Sequence, residues 1–202
     1  MNFISIETIT NICSVSLFSN NKIVDTIENS DDLMHSKNLP LLFNELINKN
    51  NFNLKDLSFI AISIGPGSYT GIKVGVNFTK GLAYSLNIPV VPVNSFDSLN
   101  YLIDNNERYY IALYSHKEHI YYQDFKDGVS QSEQICNKVS VLKKYEIYGY
   151  HLDKLDSIIS YNETIPSSYS VGLFAIDNYE KLATKEYDSI LSICIPKVNK
   201  YV

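Results

Sequence analysis

Hydrophobic and polar residues alternate along the first thirty residues in the pattern of short β-strands. Phe3–Ile9 and Cys13–Phe18 alternate, and the turn Ser19–Asn21 leads into a third segment, Lys22–Glu28. Strands joined by such short connections pair antiparallel, because a parallel pair needs a long crossover. The pattern therefore predicts an opening meander of three antiparallel strands.

The next segment has the spacing of an amphipathic helix. Apolar residues recur three and four positions apart, at Leu39, Leu42, Phe43, Leu46 and Ile47. Pro40 is tolerated because it lies in the first turn, and we expect Ser36 to cap the helix. Two apolar strands, Ser58–Ile64 and Ile88–Val93, then flank a second helix with almost no charge, Ile72–Leu86.

Meander, helix, strand, helix and strand form the half-unit of the ribonuclease-H-like fold, which actin and sugar kinases contain twice. In the second half, Tyr109–Tyr114 and Ile120–Phe125 predict a hairpin around the polar turn Ser115–His119. A strand is expected over Tyr145–Tyr150 and a helix over Ser168–Ala183. These elements are compatible with a reduced second copy of the same unit.

The predicted fold class is therefore α/β, an actin-like ATPase (ribonuclease-H-like) fold of two tandem domains with the second one reduced. The most polar break, Asp104–Glu107, suggests the boundary. We expect an N-terminal domain over residues 1–104, with the glycine-rich segment, and a smaller C-terminal domain over residues 105–202.

Five of the eight glycines lie close together, at Gly65, Gly67, Gly71, Gly75 and Gly81. A strand, a glycine turn and a helix in that order aim backbone N–H groups at the space above a sheet, which binds anions in some proteins and allows close packing in others. The spacing fits neither a Walker A loop nor a dinucleotide fingerprint. An anion site or nucleotide-proximal site therefore stays open beside close packing, with these candidate residues: Glu7, Gly65, Gly67 and Ser68.

The second predicted helix is apolar on two sides. One stripe, which can cover the sheet, consists of Ile72, Val76, Ala83 and Leu86. The roughly opposite stripe consists of Val74, Phe78, Leu82 and Ser85. A helix that is apolar nearly all round is not a surface helix. Either the second domain or another protein is therefore expected to cover its outer side.

The net charge of −5 argues against direct, tight binding to nucleic acid or to an anionic membrane. No stretch approaches the ~18 uninterrupted apolar residues of a membrane span, so we expect a cytoplasmic protein. His116 and His119 have H-x-x-H spacing, but a hairpin tip gives no fixed ligand geometry. We therefore predict no metal site and no catalytic residue.

Three sequence segments resemble the signature of the TsaB (YeaZ) family. They are SIGPGSYTGIKVG at Ser63–Gly75, KGLA at Lys80–Ala83 and IPV at Ile88–Val90. The opening Ile4–Thr8 and the pair His35-Ser36 agree with the same pattern. The convincing resemblance covers about the first hundred residues.

This resemblance implies a non-catalytic subunit of the complex that makes threonylcarbamoyladenosine beside the tRNA anticodon. The implied partners are a TsaD-like catalytic subunit and a TsaE-like ATPase, which carry the ATP and the metal. This chain itself is expected to bind no cofactor and to contact tRNA only indirectly. A homodimer is expected when the chain is alone, because a large apolar face seldom stays bare.

The resemblance places the partner contact on the N-terminal helices. The expected contact residues are His35, Leu39, Leu42, Tyr69, Thr70, Gly71, Lys73, Val74, Gly75, Asn77, Phe78, Gly81 and Leu82.

Two positions depart from the family pattern. Glu7 stands where the family usually has Asp, and the second-domain hairpin has Tyr114–His116 and His119–Tyr121 in place of Asp-Ala-Arg and Glu-Val-Tyr. The alternative function is an ATP-dependent phosphotransferase of the actin-like superfamily that uses the Gly65–Gly71 loop. Such an enzyme needs a second glycine-rich loop, and the glycines of the second half are isolated from each other.

Overall fold

The structure of the chain is a computed structural model that describes residues 1–30, 34–157, 159–193 and 195. The described chain divides into two compact units. The first unit combines Met1–Ser98 with Pro166–Ile193, and the second includes Leu99–Ile165.

The first unit contains a five-stranded mixed sheet. Its strands are β1 (Phe3–Glu7), β2 (Cys13–Ser19), β3 (Lys22–Asn29), β4 (Phe59–Ser63) and β5 (Val90–Val93). They lie in the order β3-β2-β1-β4-β5, with β1, β2 and β3 antiparallel and with β4 and β5 parallel to β1. The predicted meander and the two later strands are confirmed.

The described residues form four α-helices. They are α1 (His35–Lys49), α2 (Tyr69–Leu86), α3 (Ser95–Asn100) and α4 (Ser168–Leu182). Helix α1 packs on β2 and β3, and helix α2 packs on β4 and β5. Helix α4 packs on β1, β2, β4 and β5 and more weakly on β3. Along β4, Ala61 lies in the apolar cluster with α4, while Ile62 lies beside α2. Since successive side chains of a strand point to opposite faces, α2 and α4 cover opposite faces of the sheet.

Two predicted helix starts are wrong, by two and by three residues. Helix α1 begins at His35, with Met34 at the N-cap position and no side-chain cap, so Ser36 is not the cap. Helix α2 begins at Tyr69 rather than at Ile72, because the Ser68 hydroxyl accepts a hydrogen bond from the Gly71 N–H. The short helix α3 was not predicted.

Helix α4 belongs to the first unit, although the sequence analysis assigned it to the second domain. Buried serines of β1 and β2 hold its first turn: the Ser5 hydroxyl donates to the Ser168 carbonyl at 2.6 Å, and the Ser168 N–H donates to the Ser14 hydroxyl at 2.8 Å. An added Cβ on Gly172 would collide with the Phe18 ring. The two units therefore differ from the predicted ranges 1–104 and 105–202. Residues 158, 194 and 196–202 of the second range lie outside the described part.

The second unit contains a six-stranded sheet. Its strands are β6 (Arg108–His116), β7 (His119–Lys126), β8 (Val129–Ser130), β9 (Ile135–Lys138), β10 (Glu146–Tyr150) and β11 (Asn162–Glu163). They lie in the order β11-β10-β6-β7-β8, and β9 also pairs with β7. The predicted hairpin is confirmed with a tighter turn, in which Lys117 has φ of 50°. Among the described residues, no helix has the length and hydropathy to cross a membrane.

Candidate functional site

The glycine-rich segment lies against the β1–β2 turn, Thr8–Thr10. An added Cβ on Gly67 would lie 2.6 Å from the Ile9 Cβ, and one on Gly71 would collide with the Thr8 carbonyl oxygen. One on Gly75 would collide with the Thr8 hydroxyl. Distances below 3.0 Å require the neighbour to move, so only glycine lets the turn lie this close to α2. These three glycines therefore act as packing positions.

Three backbone N–H groups at the start of α2 already have acceptors within the protein. The Ser68 N–H donates to the Ile9 carbonyl at 2.7 Å, and the Ile72 N–H donates to the Ser68 carbonyl at 2.9 Å. The Gly71 N–H donates to the Ser68 hydroxyl at 3.3 Å. In an anion-binding helix start these groups would point at the ligand. The three groups would have to leave their present acceptors before they could bind a phosphate.

Glu7, the acidic residue at the end of β1, is fully buried. Its Oε1 accepts a hydrogen bond from the Ile9 N–H at 2.7 Å, while Oε2 is buried without a hydrogen-bond partner in the described structure. Burial raises the pKa of Glu7 from 4.5 to about 7, although the Ile9 N–H opposes the shift. Burial, together with the Glu7 charge, also raises the pKa of the Cys13 thiol to about 12.

A magnesium–nucleotide site requires an ionised carboxylate within reach of solvent or ligand. Glu7 is buried, its burial raises the pKa of the carboxyl to about 7, and the Ser68, Gly71 and Ile72 N–H groups have internal acceptors. Glu7 and these three N–H groups, as described, therefore do not fit the ligands of a nucleotide–metal complex.

His35, a predicted contact residue, connects α1 to the β1–β2 turn. Its Nε2 lies 2.7 Å from the Thr10 carbonyl oxygen, and because that oxygen can only accept, Nε2 carries the proton. The Nδ1 atom is buried without a hydrogen-bond partner in the described structure. The Thr8 hydroxyl donates to the Gly71 carbonyl at 2.9 Å, so the same turn is attached to both α1 and α2.

Some of the residues predicted to contact the partner are buried in the structure. Leu39 and Leu42 of α1 are buried in the core of the first unit, and Gly71 and Gly75 lie beneath the β1–β2 turn. Helical periodicity identified the apolar stripe of α1, but it also marks the side that covers the sheet. These four residues and His35 are therefore interior positions, and they are not available for direct contact in the chain as described.

The remaining predicted residues form one solvent-facing surface of α2, here called the α2 outer face. It consists of eight predicted residues, Tyr69, Thr70, Lys73, Val74, Asn77, Phe78, Gly81 and Leu82, together with Tyr84. Tyr69 and Tyr84 are 65% and 75% exposed at its two ends. The Lys73 ammonium lies 5.5 Å from the centroid of the Tyr69 ring. Sequence reasoning missed Tyr84, although it stands seven residues after Asn77 and therefore on the same side of the helix.

The centre of the α2 outer face combines half-buried apolar side chains with an open glycine. Phe78 packs edge-on against Phe43 of α1, with ring centroids 5.5 Å apart. An added Cβ on Gly81 would meet nothing within 4 Å. A glycine inside a helix costs roughly 1 kcal/mol relative to alanine. Internal packing therefore does not account for glycine at position 81.

The sequence model of a family described as TsaD, tRNA N6-adenosine threonylcarbamoyltransferase, matches residues 24–166. A tRNA N6-adenosine threonylcarbamoyltransferase of Clostridioides difficile is 32% identical over 99 residues, 48% of this chain and 29% of the relative. A tRNA threonylcarbamoyladenosine biosynthesis protein TsaB of Buchnera aphidicola is 32% identical over 96 residues, 48% of this chain and 45% of the relative. The chain thus matches less than half the length of these two relatives.

Two solved structures have a fold similar to that of this chain. YeaZ from Pseudomonas aeruginosa superposes with a TM-score of 0.77 at 18% identity, over 96% of this chain and 99% of that one. An inorganic polyphosphate/ATP-glucomannokinase from Arthrobacter superposes with a TM-score of 0.50 at 8% identity, over 89% of this chain and 99% of that one. These likenesses confirm the predicted actin-like, ribonuclease-H-like fold. The family match and the TsaB-named relatives carry the assignment further: the chain belongs to the TsaD-type tRNA threonylcarbamoyltransferase family and, within it, to the TsaB (YeaZ) group.

Proposed function

We propose that this chain is a non-catalytic subunit of the complex that installs the threonylcarbamoyl group on adenosine next to the tRNA anticodon. In this role it binds a TsaD-like catalytic subunit through the α2 outer face and supports the active state of that subunit. The names of the relatives supply the pathway. The single structural observation that carries the proposal is the α2 outer face itself.

The physical features of this face are those of a protein interface. Two largely exposed tyrosines, Tyr69 and Tyr84, flank its apolar centre, and tyrosine is enriched among residues that dominate binding energy. Gly81 leaves the middle of the helix without a side chain, which allows the backbone of a partner helix to come close. A helix packed across α2 at this point would cover Val74 and Phe78. A second copy of this chain is the expected occupant when the catalytic partner is missing.

The alternative, an ATP-dependent phosphotransferase using the Gly65–Gly71 loop, has less support. Its phosphate-binding N–H groups would include those of Ser68, Gly71 and Ile72, which bond to internal acceptors. In the proposed complex, the catalytic partner and a TsaE-like ATPase bind the ATP and the metal. A partner also makes the tRNA contacts, because the net charge of this chain is −5. Such a complex would work in the cytoplasm.

The test is complex formation with the TsaD-like protein of the same source, measured by size-exclusion chromatography with light scattering. We expect a stable heterocomplex of the wild-type chain. Gly81→Arg places a long cation at the centre of the α2 outer face, and we expect it to weaken the complex at least 100-fold. Because arginine favours helix more than glycine does, this variant should not unfold α2.

A matched pair of tyrosine variants controls for loss of an exposed aromatic ring. Tyr84→Ala should weaken the complex at least tenfold, whereas Tyr101→Ala in the second unit removes a ring that is 44% exposed and should not. Equal effects of the two variants would place the interface elsewhere. If no complex forms and the isolated chain binds ATP, the phosphotransferase is the better assignment.

A further inference from the structure

The second unit contains an open cavity that the proposed function does not use. Its volume is about 540 Å³, within the range of small-molecule sites. The lining residues are Leu102, Ile103, Asp104, Tyr148, Asn162, Glu163, Thr164 and Ile165. They come from the segment before β6, from β10, and from β11 with the residues that follow it.

One part of the cavity wall is aliphatic. Leu102 is 42% exposed and Ile165 is 46% exposed, so both leave much of their apolar surface in water. Ile103 extends this wall. A ligand with an aliphatic body would remove that surface from water, which is favourable in proportion to the area covered.

The polar part of the lining offers acceptors and negative charge. Asp104 and Glu163 contribute carboxylates, and neither forms an ion pair with a residue that the structure describes. The Asn162 side-chain amide N–H already donates to Glu146 at 2.6 Å, which leaves the side-chain oxygen Oδ1 of Asn162 for a ligand. No Lys, Arg or His belongs to the lining among the residues that the structure describes. This combination disfavours phosphates and carboxylates and favours a cation.

We propose that this cavity binds a primary alkylammonium group, carried by a linear polyamine or by a lysine side chain. The ammonium lies between the acceptors of Asp104 and Glu163, and its methylene chain lies on Leu102 and Ile165. The Tyr148 hydroxyl already accepts a hydrogen bond from the Asn105 side-chain amide at 3.2 Å. Its own proton therefore stays free to be donated to another acceptor in the site. Because exposed ion pairs stabilise only weakly, we expect dissociation constants of about 0.1–1 mM.

The test is titration of the full chain with putrescine and, separately, with Nα-acetyl-lysine amide, followed by NMR chemical shifts at constant ionic strength. The cavity variant is Asp104→Asn combined with Glu163→Gln. The matched control is Asp127→Asn combined with Glu133→Gln, which makes the same charge change at exposed positions of the same unit outside the cavity. We expect the cavity variant to bind at least tenfold more weakly than both the wild type and the control.

Each outcome decides the proposal. Binding of putrescine alone identifies free polyamines as the source of the ammonium group, and binding of the lysine amide identifies a lysine of a partner protein. If both double variants weaken binding equally, the attraction is due to the overall negative charge and the proposal is wrong. The proposal is also wrong if neither compound shifts the resonances of the lining residues at about 10 mM, tenfold above the weakest expected constant.

Discussion

Replacement of Glu7 by glutamine should change how the stability of the protein depends on pH. The Glu7 carboxyl has a pKa of about 7 in the folded chain, raised by burial from 4.5. The folded state therefore holds this proton more tightly than the unfolded state does. For an acid with a raised pKa, stability is highest below the unfolded value of 4.5 and falls as the pH rises towards the folded value.

The size of the effect follows from the shift. The difference between 4.5 and about 7, at about 1.4 kcal/mol for each pH unit, gives a loss of ~3 kcal/mol across that window. Such a loss is a large part of the stability of a typical domain, which is about 5–15 kcal/mol. Glutamine keeps an oxygen for the Ile9 N–H but cannot ionise, so Glu7→Gln should lack this pH-dependent loss.

Urea unfolding of both proteins at several pH values from 5 to 8 measures the effect. The free energy of unfolding of the wild type, relative to Glu7→Gln, should fall as the pH rises to about 7 and level off above that value. Glu45→Gln on the exposed side of α1 is the control for removal of one carboxylate, and its profile should run parallel to that of the wild type. Parallel profiles of wild type and Glu7→Gln would show that the Glu7 carboxyl is not buried as described.

Three further variants test the packing of the first unit by chemical denaturation. Gly71→Ala should destabilise the chain by about 1–3 kcal/mol, because its Cβ collides with the Thr8 carbonyl; an unchanged midpoint would contradict this packing. Gly81→Ala should stabilise the isolated chain by about 0.5–1 kcal/mol, since its Cβ meets open space, and lower stability would show a contact there. Ser168→Ala should cost about 1 kcal/mol through loss of its hydroxyl bond to Ser16, and a neutral result would mean that the Ser168 hydroxyl does not anchor α4.

The candidate site was only partly predictable from sequence. Residue spacing located the glycine-rich segment and the two-sided helix that follows it. Spacing could not decide between anion binding and close packing, because both uses need glycine before a helix. The structure shows the close packing, since the Thr8–Thr10 turn occupies the space beside Gly67, Gly71 and Gly75, and the anion site stays a prediction.

Local patterns in the sequence determined the strands β1–β3, the helices α1 and α2, and the identity of the family signature. These features depend on side-chain periodicity and on turn residues a few positions apart, which the chain carries wherever its other parts lie. Only the tertiary structure decided that Leu39 is core, that Glu7 is buried with a raised pKa, and that α4 packs on the first sheet. Those outcomes depend on contacts between residues far apart in the chain, such as Ser5 with Ser168, and no local pattern encodes them.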